Sequence, residues 1–131
     1  MHVEYDAHGE CSIQIVDDVI LIEARGPWNL EFTRDLHRRL ASVASNFAEN
    51  QTFLLIRFFG EAIAVEAAIN EHIKFINYRR ATAVAIDFSN CTTAHITRDL
   101  YTRIYNTTQQ KHRFFDDFDE AWAWIKSQQG S

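Results

Sequence analysis

The chain is short of glycine, cysteine and positive charge, and each shortage removes a class of function. Its 4 glycines form neither a G-x-G-x-x-G pattern nor a P-loop, which excludes the phosphate cradles built on those motifs. Cys11 and Cys91 are the only cysteines. Met1 is followed by neither a basic nor an apolar leader segment, so a cytoplasmic protein with reduced thiols is expected, with no membrane insertion. Lys and Arg number 13 against 18 Asp and Glu, a formal charge of −5 with a pI near 5.6. That average field repels phosphate backbones and anionic lipid, although a local basic patch can override it, and no nucleic-acid partner is expected. The six histidines show no His-Glu-x-x-His or other paired spacing, so no metal site is expected and the rings are read as solvent-facing.

What is present is a single α/β domain's worth of periodic segments. With 131 residues and 47% hydrophobic content, the chain can bury roughly two thirds of its unfolded surface. Residues 51–60 make a nearly unbroken apolar run, too short for a helix and stopped by Gly60, which reads as a central strand. Before it, Cys11, Ile13 and Ile15 alternate with polar residues, and Asp17-Asp18 separates them from residues 19–25, predicting a hairpin. Asn29 is an N-cap for a first helix marked by Phe32 or Thr33, Leu36, Leu40, Val43 and Phe47. Residues 62–78 carry Val65, Ile69, Ile73 and Ile76 on one stripe, a second helix. A strand over 81–88, a polar loop, a third helix striped by Ile96, Leu100 and Ile104, a connector at 106–110 and a short strand at 113–115 follow. Asp117 and Glu120 form a capping-box-like start to a last helix whose Phe118, Ala121, Trp122 and Ile125 face inward. The core spans about 9–126, and residues 127–131 read as a frayed tail.

The order is therefore β-β-α-β-α-β-α-β-α, a mixed, mostly parallel five-stranded sheet. If consecutive parallel strands pair as neighbours through right-handed crossovers, the helices all fall on the same face of the sheet, mainly covering that one face and leaving the other thinly covered. The strand patterns fit. Ile20, Ile22, Leu54, Ile56, Phe58, Val84, Ile86 and Phe88 form one apolar set, while the alternate set mixes Leu21, Phe53, Leu55 and Phe59 with Glu23, Arg25, Arg57 and Asp87. Charges in mid-strand argue against burial beneath helices, so this second face is expected to be open, covered by a partner, by a second copy of the chain, or by residues 1–8.

The order of elements, the stretch Gly26-Pro27-Trp28-Asn29-Leu30-Glu31 and the stretch Phe115-Asp116-Asp117-Phe118-Asp119-Glu120-Ala121-Trp122-Ala123-Trp124-Ile125 together resemble the STAS superfamily. The likeness is to the small uncharacterised bacterial proteins related to sporulation anti-sigma-factor antagonists, and it covers about residues 9–126. It implies a one-sided sheet-and-helix domain that works by binding a partner protein, within a broad fold some of whose members hold lipids. Antagonists of the superfamily carry a phosphorylatable serine in an Asp-Ser-Ser-Gly-like motif at the start of the second helix. Here that region reads Phe59-Gly60-Glu61-Ala62-Ile63-Ala64 and has no hydroxyl, so no serine switch is expected and Glu61 supplies a fixed negative charge.

Other constellations have plainer readings. Cys91 lies near Asp87, Ser89, Asn90 and His95, but no nucleophile signature surrounds it, so a half-buried loop thiol is favoured over an enzyme using this loop. Asp116, Asp117, Asp119 and Glu120 sit where a helix start already calls for acidic residues. Trp28 follows a strand end, where open sheets place ligands, or else it packs on the first helix. The runs Arg34 to Arg39 and Arg79-Arg80 read as solvated. The expectation is a non-enzymatic bacterial interaction or regulatory domain without cofactor, acting through a protein partner or self-association, with Leu21, Trp28, Phe53, Leu55, Arg57, Phe59, Glu61 and Cys91 as the candidate surface. The alternative is a carrier of a small apolar or lipid ligand, held on the open face or beneath the second helix.

Overall fold

The computed structural model describes residues 9–130; residues 1–8, expected as one cover for the open sheet face, and Ser131 lie outside the described residues. Strands β1 (Glu10–Val16) and β2 (Val19–Arg25) pair antiparallel around Asp17 and Asp18, both at positive φ (51° and 63°). Positive φ at both turn residues is the primed turn that suits the twist of a two-residue hairpin. Helix α1 (Leu30–Ala44) starts at Asn29, whose side chain accepts from the Phe32 N–H, and strand β3 (Phe53–Gly60) follows. Then come α2 (Glu66–Tyr78), β4 (Ala83–Cys91), α3 (Ala94–Thr108), β5 (His112–Phe115) and α4 (Phe118–Gln129). The strands lie side by side in chain order with β3 in the middle, and all pairs after the first are parallel.

Helices α1, α2 and α3 share one face, over a core that includes Ile20, Ile22, Leu54, Ile56, Phe58, Val84, Ile86 and Phe88. Those are the residues of the first apolar set. The second face is not open. Helix α4 lies across it, packing Ala121 and Ile125 on Val19, Phe53, Leu55, Ala83, Ala85 and Phe115. The crossover rule constrains only helices that join two parallel strands; α4 follows the last strand and is free to turn under the sheet. The alanines of β4 give it room, and Leu55, expected on a free surface, is fully buried beneath it.

The mid-strand charges are reconciled sideways. Glu23, Arg57 and Asp87 stand in register on β2, β3 and β4. Arg57 reaches Asp87 at 3.2 Å and Glu23 at 3.9 Å, while its guanidinium carbon lies 4.2 Å from the Phe118 ring centre. Asp87, only 1% exposed, also accepts from the Ser89 N–H. This is a paired and hydrogen-bonded buried charge, the condition under which one is tolerated.

Several boundaries move. Residues 62–65 are extended rather than helical, because Gly26 N donates to Glu61 O, Trp28 N to Ile63 O and Val65 N to Trp28 O. An added methyl at Gly26 would come within 2.5 Å of the Glu61 carbonyl oxygen, so this crossing needs glycine. Strand β4 runs through Ser89 and Asn90 to Cys91 by a register shift opposite Arg57 to Phe59, and α3 continues through 106–108. Ile96 is 63% exposed; the buried stripe of α3 is Thr97, Tyr101, Ile104, Tyr105 and Thr108. Residues 127–129 belong to α4, where Lys126 and Gln129 donate to the carbonyl of Asp17 and tie the helix end to the hairpin.

Candidate functional site

Between the sheet and helices α1 and α2 the packing leaves a cavity of about 330 Å³. Ile22, Leu54, Ile56, Phe58 and Val84 form its floor, with Leu36 and Leu40 of α1 and Ile69 and Ile76 of α2 above. It extends from Trp28 and Ala64 beside the start of α2 to Thr52, Arg79, Arg80 and Gln110 beyond its end. The small side chains Ala41, Ala44, Ala64 and Ala68 line it where larger ones would fill it. At this size the space admits about eleven water-sized groups at about 30 Å³ each, the lower end of small-molecule sites.

Trp28 closes one end. It is buried, stacks on Phe32 of α1, tilts against Phe58 and donates its indole N–H to the Arg25 carbonyl at 3.1 Å. It is thus both helix packing and cavity wall, and no part of an outer contact surface.

At mid-length two histidines break the apolar lining. His37 Nε2 and His72 Nδ1 are 2.9 Å apart, and the His37 ring lies flat on Phe75 with centroids 4.1 Å apart. Burial, then the neighbouring His72, pushes the His37 pKa down to about 3, and burial pushes that of His72 down to about 4. Both rings are therefore neutral at pH 7, and one of the two facing nitrogens carries the shared proton. Whichever does, His72 Nε2 is left as a donor or as an acceptor, sealed from solvent and without a partner among the described residues. Such an orphan costs about 1–3 kcal/mol. The reading of the histidines as solvent-facing is corrected for these two, whose i, i+35 spacing carries no motif, and for His112, which is half-buried against Tyr105 and Phe114.

Arg79 and Arg80 mark the far end. Arg79 Nη2 donates to Phe47 O at 3.0 Å and Thr52 Oγ1 at 3.1 Å, and its buried Nε has no partner among the described residues. Arg80 donates to Thr108 O at 2.8 Å. Arg79, read from sequence as solvated, is half-buried and lines the cavity.

The remaining candidates do not gather into this site. Leu55 and Phe53 lie under α4, Leu21 packs at its margin, and Arg57 belongs to the ion-pair row on that face. Phe59 is half-buried beside Arg57, and Glu61 is exposed on the loop before α2. Cys91 Sγ contacts the Thr93 and Thr97 hydroxyls at 3.6 and 3.7 Å, while His95 is exposed, so no Cys-His pair forms. Those threonines instead fix the extended loop: Ala62 N donates to Thr93 Oγ1, and Thr97 Oγ1 donates to Ala62 O. No group of three or more metal-ligating side chains occurs among the described residues. Nor is any helix among them long and apolar enough to cross a membrane.

No family model matches the chain, and no curated protein matches its sequence. Among solved structures it is similar to an uncharacterized protein of the DUF3478 family from Shewanella loihica PV-4, described as having a SpoIIAA-like fold. The match has a TM-score of 0.67 at 16% identity and covers 95% of this chain and 99% of that one. The fold is thus the SpoIIAA-like, or STAS, fold expected from the sequence.

Proposed function

We propose that this SpoIIAA-like domain is a non-enzymatic binding protein that holds one small, mostly apolar ligand in the cavity between the sheet and helices α1 and α2. The observation that carries the reading is the cavity itself: about 330 Å³, walled by aliphatic and aromatic side chains and by alanines. A void of this size forfeits the dispersion contacts of its lining, and a ligand restores them. At mid-length, among the aliphatic and aromatic residues, His72 Nε2 adds one point of hydrogen bonding. Among the described residues no set of nucleophile, base and oxyanion donors converges on the cavity, the constellation a catalytic reading requires.

The test is uptake. Protein purified from its own cells is examined by native mass spectrometry, extracted with organic solvent, and titrated with N-phenyl-1-naphthylamine, a neutral probe that fluoresces in apolar sites. Co-purifying apolar material or saturable probe binding is expected, and Ala68→Leu, which fills the cavity from α2, should weaken the binding at least fivefold. Protein recovered empty that also excludes the probe overturns the reading.

A protein partner is the second reading, and it rests on Ile15 and Val16, two exposed apolar residues at the end of the edge strand β1. A ligand-free, monodisperse complex from the same preparation selects it. Regulation by serine phosphorylation before α2 belongs to neither reading, since residues 59–66 contain no hydroxyl.

A further inference from the structure

We infer that the ligand is a single-chain anionic amphiphile, its acidic head held at Arg79 and Arg80 and its apolar body lying along α2 toward Trp28. The inference rests on the cavity reading and adds the charge of the occupant. Among the described residues two arginines line the cavity and no Asp, Glu or Lys does. Neither arginine has a carboxylate within ion-pair distance among the described residues; their acceptors are the neutral oxygens of Phe47, Thr52 and Thr108. The negative end of the α2 dipole offsets part of the Arg79 charge, yet the Arg79 Nε–H remains sealed without an acceptor. A guanidinium presents its donors in a fork that matches an acidic oxygen pair, and it is the side chain suited to partly buried ion pairs.

The approach to the cavity has the same sign. A shallow groove on the outside of α1 and α2 shares His37, Ala41, Phe75 and Tyr78 with the cavity wall and is bordered by Arg34, Arg38 and Lys74; Arg34 pairs with Glu71 at 4.0 Å and Arg38 with Asp35 at 3.1 Å, which leaves Lys74 as the cation of the groove without a carboxylate partner among the described residues. On a chain of net charge −5, Lys74 on the groove and Arg79 and Arg80 at the cavity end make a local surplus of positive charge, which favours the approach of anions. Helix α2 has 13 residues, about 20 Å at 1.5 Å per residue, so an extended chain of about ten carbons fits beneath it. Two chains do not fit in about 330 Å³, so a double-chain lipid is not the occupant.

Isothermal titration of the full chain with decanoate, decan-1-ol and decyltrimethylammonium, all below their micellar concentrations, separates head from tail. Decanoate should bind at least tenfold tighter than decan-1-ol, and the cation weakest. Arg79→Met should remove most of the decanoate advantage and leave decan-1-ol unchanged, while Arg79→Lys should retain part of it. Raising the salt from 50 to 500 mM should weaken decanoate alone. Equal affinity for acid and alcohol overturns the anionic head and leaves the cavity reading standing. Binding of none of the three overturns both. Because Arg79 also supports Phe47 and Thr52, the comparison of ligands on unmodified protein decides the matter if the Met variant does not fold.

Discussion

His37 and His72 make acid a stress on this fold. Each has a folded pKa well below the ordinary 6.5, near 3 and near 4, so between those values and 6.5 the unfolded chain binds more protons than the folded one. Stability contributed by the neutral pair is therefore complete above about pH 7 and falls as the pH drops from 6.5 toward 4. The expected loss is on the order of a few kcal/mol by pH 5. Thermal unfolding followed from pH 8 to pH 4.5 should show a plateau and then a decline that His37→Phe reduces and the double variant His37→Phe, His72→Phe flattens; an unchanged decline in the double variant would assign the effect to groups other than this pair. The two rings were invisible as a pair in the sequence because they meet only when α1 packs on α2. Arg79 departs from its sequence expectation for a related reason: an Arg-Arg dipeptide after a helix reads as solvated until the loop at Phe47 and the strand start at Thr52 close around one of its members.

The elements themselves were largely legible, since their signals are local. Asn29 and Asp117 cap their helices as their spacing predicts, through bonds to Phe32 N and Glu120 N. In sequence, residues 62–65 continue the helical pattern of α2 as Ala-Ile-Ala-Val, whereas in the fold the backbone donors of Gly26, Trp28 and Val65 are committed to pairing across that loop. The expectation that all helices share one face fails for α4, which packs on the other side of the sheet; its inward stripe and the small Ala83 and Ala85 of β4 are complementary signals for that placement. Its placement reverses one expectation. Leu55→Lys, which an open face would tolerate, buries an unpaired ammonium against Ala121 and Ile125 and should cost on the order of 4 kcal/mol or more. A fall in Tm beyond about 10 °C, or failure to fold, is expected; a variant that melts normally but associates less would show that α4 leaves this face in solution.

At the scale of the molecule, the proposed ligand would be bound within the principal core, so binding and stability should be linked. Decanoate at a hundred times its Kd should stabilise the chain by about 2.7 kcal/mol, which for this length is roughly a 10 °C rise in Tm, and Ala68→Leu should abolish the rise while melting at or above the unliganded protein. Absence of a shift at saturation would mean that the ligand sits outside the fold's cooperative core. The sequence by itself determined the order of elements, the hairpin, the helix caps and the residues that face the three-helix side, because alternation, helical period and capping chemistry act over a few neighbours along the chain. Only the tertiary structure decided which face α4 covers, that His37 meets His72, and that alanines and arginines from distant segments bound one cavity. Those outcomes depend on how side-chain volumes and charges far apart in sequence fit against one another, and a shortfall of volume between packed elements has no residue of its own to announce it.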